Sequence, residues 1–114
     1  MRFLTLIFAA LLVSGDAIGR EANNETHAAI TCTSTTGEAL AENGGRISAL
    51  FVNDGSDTIW IAINQAAVAN EGIRLNANGG SYYIADYQGN LDRDEVNCIT
   101  ASASIVLLVT EWFN

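Results

Sequence analysis

Residues 46–64, RISALFVNDGSDTIWIAIN, constrain the fold of this chain most, because two strand-forming runs and a polar turn stand back to back within nineteen positions. Residues 47–52 and 58–63 are rich in β-branched and aromatic side chains, which suit a pleated, half-buried surface. Asn53, Asp54, Gly55, Ser56 and Asp57 between them tolerate left-handed backbone and bond their own main chain. The pattern predicts an antiparallel hairpin and places the chain in the all-β class.

The same grammar continues in both directions. Residues 28–35 alternate small or apolar residues with threonine and predict a first strand carrying Cys32, followed by a polar loop over 37–45. Residues 65–71 read as a loop, 72–75 as a short strand, 76–80 as a strong turn and 81–85 as another strand. Residues 86–95 hold a glycine and the charge cluster Asp92-Arg93-Asp94-Glu95, and so belong on the surface. Two closing strands over 96–101 and 105–112 flank a connection short enough for a second hairpin. Six to seven short strands with turns every eight to twelve residues predict an antiparallel β-sandwich or small jelly roll, since no crossover helices join parallel neighbours.

Length and charge narrow the class. A chain of 114 residues has room for one domain, and 49% apolar with 16% charged residues is the composition of a folding chain. Acidic residues outnumber basic ones 13 to 5 and lysine is absent, so a phosphate-binding surface driven by counterion release is excluded. The organisation read from this is an apolar segment over 1–19, a polar arm over 20–27 and the sandwich over 28–114. Met1-Arg2, an apolar run and the small residues around Ala17 and Gly19 give the first segment the form of a signal peptide. The alternative is an apolar anchor or subunit contact retained in an assembly; the run is too short for a stable membrane span.

Cys32 and Cys98 are the only cysteines. In an exported domain an even pair predicts a disulfide; in a reducing compartment the two would pack as buried thiols. Two strands lack clean alternation: residues 49–52 and 105–109 are apolar on both faces. A strand of that kind needs cover on both sides. Leu50, Val52, Val106, Leu108, Trp112 and Phe113 are accordingly the candidate interface residues, and the expected partners are copies of this chain within a larger protein assembly.

The inventory of reactive groups is thin. The single histidine, His27, stands in the polar arm with no nucleophile and base around it, so no catalytic residue and no enzymatic activity are expected. Gly79-Gly80 is a turn rather than a phosphate cradle, and no cofactor is expected. Asp92 with Asp94, or Asp54 with Asp57, lacks the spacing of a calcium loop, and no metal site is assigned. Trp60 and the tyrosines 82, 83 and 87 are the residues a sugar-binding face would use. Adjacent Tyr82 and Tyr83 must point to opposite sides of a strand, so only one of them can join a given patch.

The ordered series Arg46, Leu50-Phe51-Val52-Asn53, Gly55 and Ile59-Trp60-Ile61 is followed by Gly72-Ile73, Leu75 and Gly79-Gly80-Ser81-Tyr82. It closes with Cys98-Ile99, Ala101, Ala103 and Val109-Thr110-Glu111-Trp112. The whole resembles small β-sandwich virion proteins of tailed bacteriophages, of the head-decoration and head-fibre type. The resemblance implies a non-enzymatic structural subunit located in a virion and supplies no active site to carry over. The signal-like start departs from that pattern and suits instead an exported subunit of a bacterial surface or extracellular filament. A secreted carbohydrate-binding module is the third reading.

Overall fold

In the computed structural model, which describes residues 21–114, the strand-forming runs give eight strands: β1 (Asn24–Cys32), β2 (Gly37–Leu40), β3 (Arg46–Asn53), β4 (Ile59–Ile63), β5 (Ile73–Leu75), β6 (Ser81–Ala85), β7 (Val96–Thr100) and β8 (Ile105–Phe113). The expectations for residues 1–19 lie outside the described residues. A 3-10 turn, Asp86–Gln88, follows β6 and ends on Gly89, whose φ of +79° suits a residue without Cβ. Among the described residues no helix is long and apolar enough to cross a membrane.

The strands form two four-stranded antiparallel sheets, ordered β1-β8-β3-β6 and β2-β7-β4-β5. Six of the seven connections cross from one sheet to the other, and only β4 and β5 are consecutive neighbours. This is the double Greek key of a jelly roll. Both expected hairpins are therefore arches. β3 pairs with β8 and β6 while β4 pairs with β7 and β5, and β7 and β8 likewise lie in opposite sheets. A polar turn states that the chain reverses but not whether the next strand pairs in the plane or folds over onto the facing layer.

Asn53 shows how the first arch is held. Its buried side-chain amide donates to the carbonyls of Asp57 (2.7 Å) and Leu75 (3.0 Å), and its oxygen accepts from Gly55 N (3.0 Å). Gly55 lies so close to Ile105 that a Cβ there would overlap the isoleucine side chain.

Two further boundaries differ from the sequence expectation. β1 begins at Asn24, inside the expected polar arm, because antiparallel pairing from Asn24↔Phe113 to Cys32↔Ile105 satisfies its backbone despite its polar side chains. β2 occupies Gly37–Leu40 in the expected loop, using Ala39 and Leu40 as its apolar residues, and the strand total is eight. The core between the sheets contains Phe51, Ile59, Ile61, Leu75, Ile84, Val96 and Leu107, all essentially inaccessible. The Cys32–Cys98 disulfide crosses this core from β1 to β7 with a Cα separation of 5.7 Å, joining the two layers.

Candidate functional site

The outer face of the β1-β8-β3-β6 sheet gathers most of the expected interface residues. Register sets Leu50 opposite Thr110 and Tyr83, Val52 opposite Leu108 and Ser81, and Ala29 opposite Leu108. Because alternate residues share a face, Val106, Leu108, Thr110 and Trp112 of β8 all point outward while Ile105, Leu107 and Val109 fill the core. Val106 and Leu108 are each 38% exposed, and Leu50 and Val52 are half-buried beside them.

Phe113 does not join this face. It has the opposite parity to Trp112 and pairs with Asn24 and Arg46. The five others are brought together on one surface. Tyr83 extends it, meeting the Trp112 ring edge-on at 6.2 Å between centroids and Tyr87 at 6.4 Å. Tyr82 points the other way and packs against the core.

At the β1 margin a string of polar side chains crosses the same face. Trp112 Nε1 donates to Glu25 Oε1 (2.5 Å), Glu25 Oε2 meets His27 Nε2 (2.7 Å), and His27 Nδ1 meets Thr110 Oγ1 (2.9 Å). The hydrogen bond from Trp112, with that to His27, holds the Glu25 carboxyl below its ordinary range. A shallow depression of 340 Å³ lies alongside, lined by His27, Ala28, Ala29, Leu108, Val109 and Thr110. The small side chain of Ala29, opposite Leu108 on this face, leaves that space open.

The polar groups within the sandwich are spent on structure. Arg46 is fully buried: its Nε donates to Glu111 Oε2 (2.8 Å), Nη1 to the carbonyls of Asp92 (2.7 Å) and Asp94 (2.9 Å), and Nη2 to that of Ala41 (2.6 Å). An irregularity at Ile47 shifts the β3–β8 register by one residue, which gives Arg46 the inward parity of its partner Phe113. The pair is not visible in the sequence, where its members stand 65 positions apart. The signal that could have found it is an acid, Glu111, inside an otherwise apolar strand, and one arginine at the head of another.

Burial in the loop raises the Asp94 carboxyl, with the Asp92 charge adding to it. Among the described residues every buried side-chain nitrogen and oxygen has a partner, and no three His, Cys, Asp or Glu side chains converge on a metal position. Trp60, the expected sugar platform, is only 8% exposed; it stands between Arg74 and Ile99 in the other sheet and presents no open ring.

No protein-family model and no curated protein matches the chain. Solved structures that share its outline include a phage spike protein and a spore pilus. The stem and receptor binding domain of the spike protein P1 from bacteriophage PM2 matches with 15% identity and a TM-score of 0.49, over 74% of this chain and 31% of that one. The Bacillus endospore appendages, described as disulfide-linked pili, match with 16% identity and a TM-score of 0.45, over 84% and 92%. An HTH_3 family transcriptional regulator from Vibrio cholerae matches with 10% identity and a TM-score of 0.50, over 79% and 43%. The chain thus spans about a third of the spike structure and under half of the regulator. At these identities the likeness is one of fold alone.

Proposed function

We propose that this chain is a non-enzymatic structural subunit that works by packing against copies of itself and a larger protein shell, as a capsid-decorating or fibre-type component of a bacteriophage virion. The observation that carries this reading is the outer face built from Leu50, Val52, Val106 and Leu108 and extended by Tyr83 and Trp112, an apolar surface on a domain whose buried polar groups all serve the fold. Apolar area offered to solvent on a small domain is the material of a protein–protein contact. Repetition across an assembly multiplies modest contacts into firm attachment.

A second reading, an exported subunit of a bacterial surface or extracellular filament, draws support from the Cys32–Cys98 bridge, since such bonds persist in oxidising compartments. Light scattering of the full chain from micromolar to millimolar concentration tests the common part of both. Concentration-dependent assembly that Leu108→Asp weakens supports it; a monomer throughout, or turnover of any substrate, overturns it. The mass of the natural protein separates the two, with an intact Met1 expected in virions and a start near Arg20 after export.

A further inference from the structure

Each sheet has two edges, and three of the four are protected. β5 is only three residues long. β2 has four, and its register shifts between Glu38 and Leu40. On β6 two of the outward backbone groups are capped by side chains: Asn90 Oδ1 accepts from Ala85 N (3.0 Å), while Asn90 Nδ2 (3.0 Å) and Gln88 Nε2 (3.3 Å) both donate to Tyr83 O. These are the devices by which sheet edges are kept from pairing with another chain.

β1 has none of them. It is nine residues long, pairs with β8 without a register shift, and contains neither proline nor lysine. Among the described residues no strand or side chain pairs with its outer edge. The direction of its backbone groups follows from the neighbouring strand. Asp54 N donates to Val106 O and Asn114 N to Gly45 O, so the even-numbered residues of β8 face β3 and the odd-numbered ones face β1. Through the pairs Asn24↔Phe113, Thr26↔Glu111, Ala28↔Val109 and Ile30↔Leu107, the even-numbered residues of β1 bond to β8. The N–H and C=O groups of Glu25, His27, Ala29 and Thr31 are left pointing at the open edge.

The side chains leave that edge clear. The only acid on the strand, Glu25, is drawn back over β8 by Trp112, and His27 by Thr110. Ala28 and Ala29 at the middle of the strand offer no obstruction.

We propose that β1 docks edge to edge with β1 of a second copy, antiparallel about a two-fold axis at Ala28, joining two four-stranded sheets into one. This rests on the reading of the chain as a self-associating subunit and names the surface and the partner. Among registers centred on a residue, this one alone pairs the whole strand. It matches Glu25 with Thr31 and His27 with Ala29 of the partner copy, all outward-bonding positions. Parity is kept, so the two outer faces become continuous. The depression over Ala29 then receives the partner copy's His27, and the two Glu25 carboxylates stand six residues apart, about 20 Å along a strand and beyond the screening length at physiological salt.

Sedimentation and amide hydrogen exchange on the full chain test this together. The expected result is a reversible dimer in which the amides of Glu25, His27, Ala29 and Thr31 gain protection as concentration rises, while those of Thr26, Ala28 and Ile30 are protected throughout. Ala29→Pro removes one outward donor and leaves the β8 ladder intact; it should weaken dimerisation by about tenfold or more with an unchanged circular dichroism spectrum. Should the proline disturb folding, Ala29→Lys keeps the ladder and blocks the edge. Rapid exchange of the four amides at every concentration overturns the proposal, as does their protection in a monomer or a dimer indifferent to both variants. Assembly that Leu108→Asp abolishes and Ala29→Pro leaves alone sinks the edge pairing but keeps the structural reading; a strict monomer sinks both.

Discussion

Glu111 and Glu25 each meet a nitrogen cation or base beside the last residues of β8, yet their surroundings oppose one another. The Arg46–Glu111 pair has side-chain exposures of 0% and 9%, whereas Glu25 and His27 stand at 49% and 66%. In the first, the guanidinium also ties the loops before β3 and β7 to the end of the sandwich through three carbonyls. In the second, water competes for every group, and the pair positions side chains on an outer face instead of holding layers together. The same pairing of a carboxylate with a nitrogen group is structural inside and available for surface contacts outside.

Removing one partner of the buried pair is the largest way to break this contrast. Arg46→Met leaves Glu111 without its cation and should cost about 3–5 kcal/mol in urea unfolding; the double variant with Glu111→Leu should restore only the part due to the stranded carboxylate, since the Ala41, Asp92 and Asp94 carbonyls stay unpartnered. Next comes the covalent tie between the layers. Cys32→Ser with Cys98→Ser opens a loop of 66 residues' separation, for which the chain-entropy model gives about 4 kcal/mol, read as a lower midpoint under the same denaturant. Asn53→Ala removes the amide that fastens the first arch and leaves the Asp57 and Leu75 carbonyls unpartnered; a loss of about 1–3 kcal/mol is expected by thermal unfolding.

On the outer face the balance reverses. Leu108→Asp, on an interior strand but at its solvent face, should cost the isolated domain no more than about 1 kcal/mol while weakening assembly, so unfolding and light scattering must be measured on the same sample. The smallest effect is in the acid limb. The Glu25 carboxyl is depressed by Trp112 and His27, so its contribution is full above the unfolded carboxyl value and disappears as pH falls through its folded value. Asp94 is raised chiefly by burial, so protonation on acidification relieves a cost. Carbon-detected NMR titration should place the Glu25 midpoint below the ordinary carboxyl range and that of Asp94 above it. A Glu25 midpoint unchanged in Trp112→Phe would remove the assigned cause.

The sequence carried the strands around the first arch, the tyrosine 82/83 alternation and the excess of apolar residues on β3 and β8. These follow from residue type and from side-chain alternation over a few positions. β2 escaped because Glu38 and the small Ala39 give four residues too little apolar signal, and the start of β1 escaped because its partner supplies what its own side chains do not. The candidate face was legible as too many apolar residues on two strands. Phe113 stands apart from that face, a separation that only the strand register supplies, since adjacent aromatic residues look alike in the sequence.

Local composition by itself determined the all-β class, the strand-rich segments, the acidic net charge and the presence of one cysteine pair. Only the tertiary structure decided that the turns are arches, that the layers run β1-β8-β3-β6 over β2-β7-β4-β5, that Arg46 finds Glu111, and that β1 is left with an open edge. The physical reason is range. Side-chain alternation and turn chemistry act over a few residues, while strand pairing, burial of a charge and the exposure of an edge depend on segments dozens of positions apart meeting in one place.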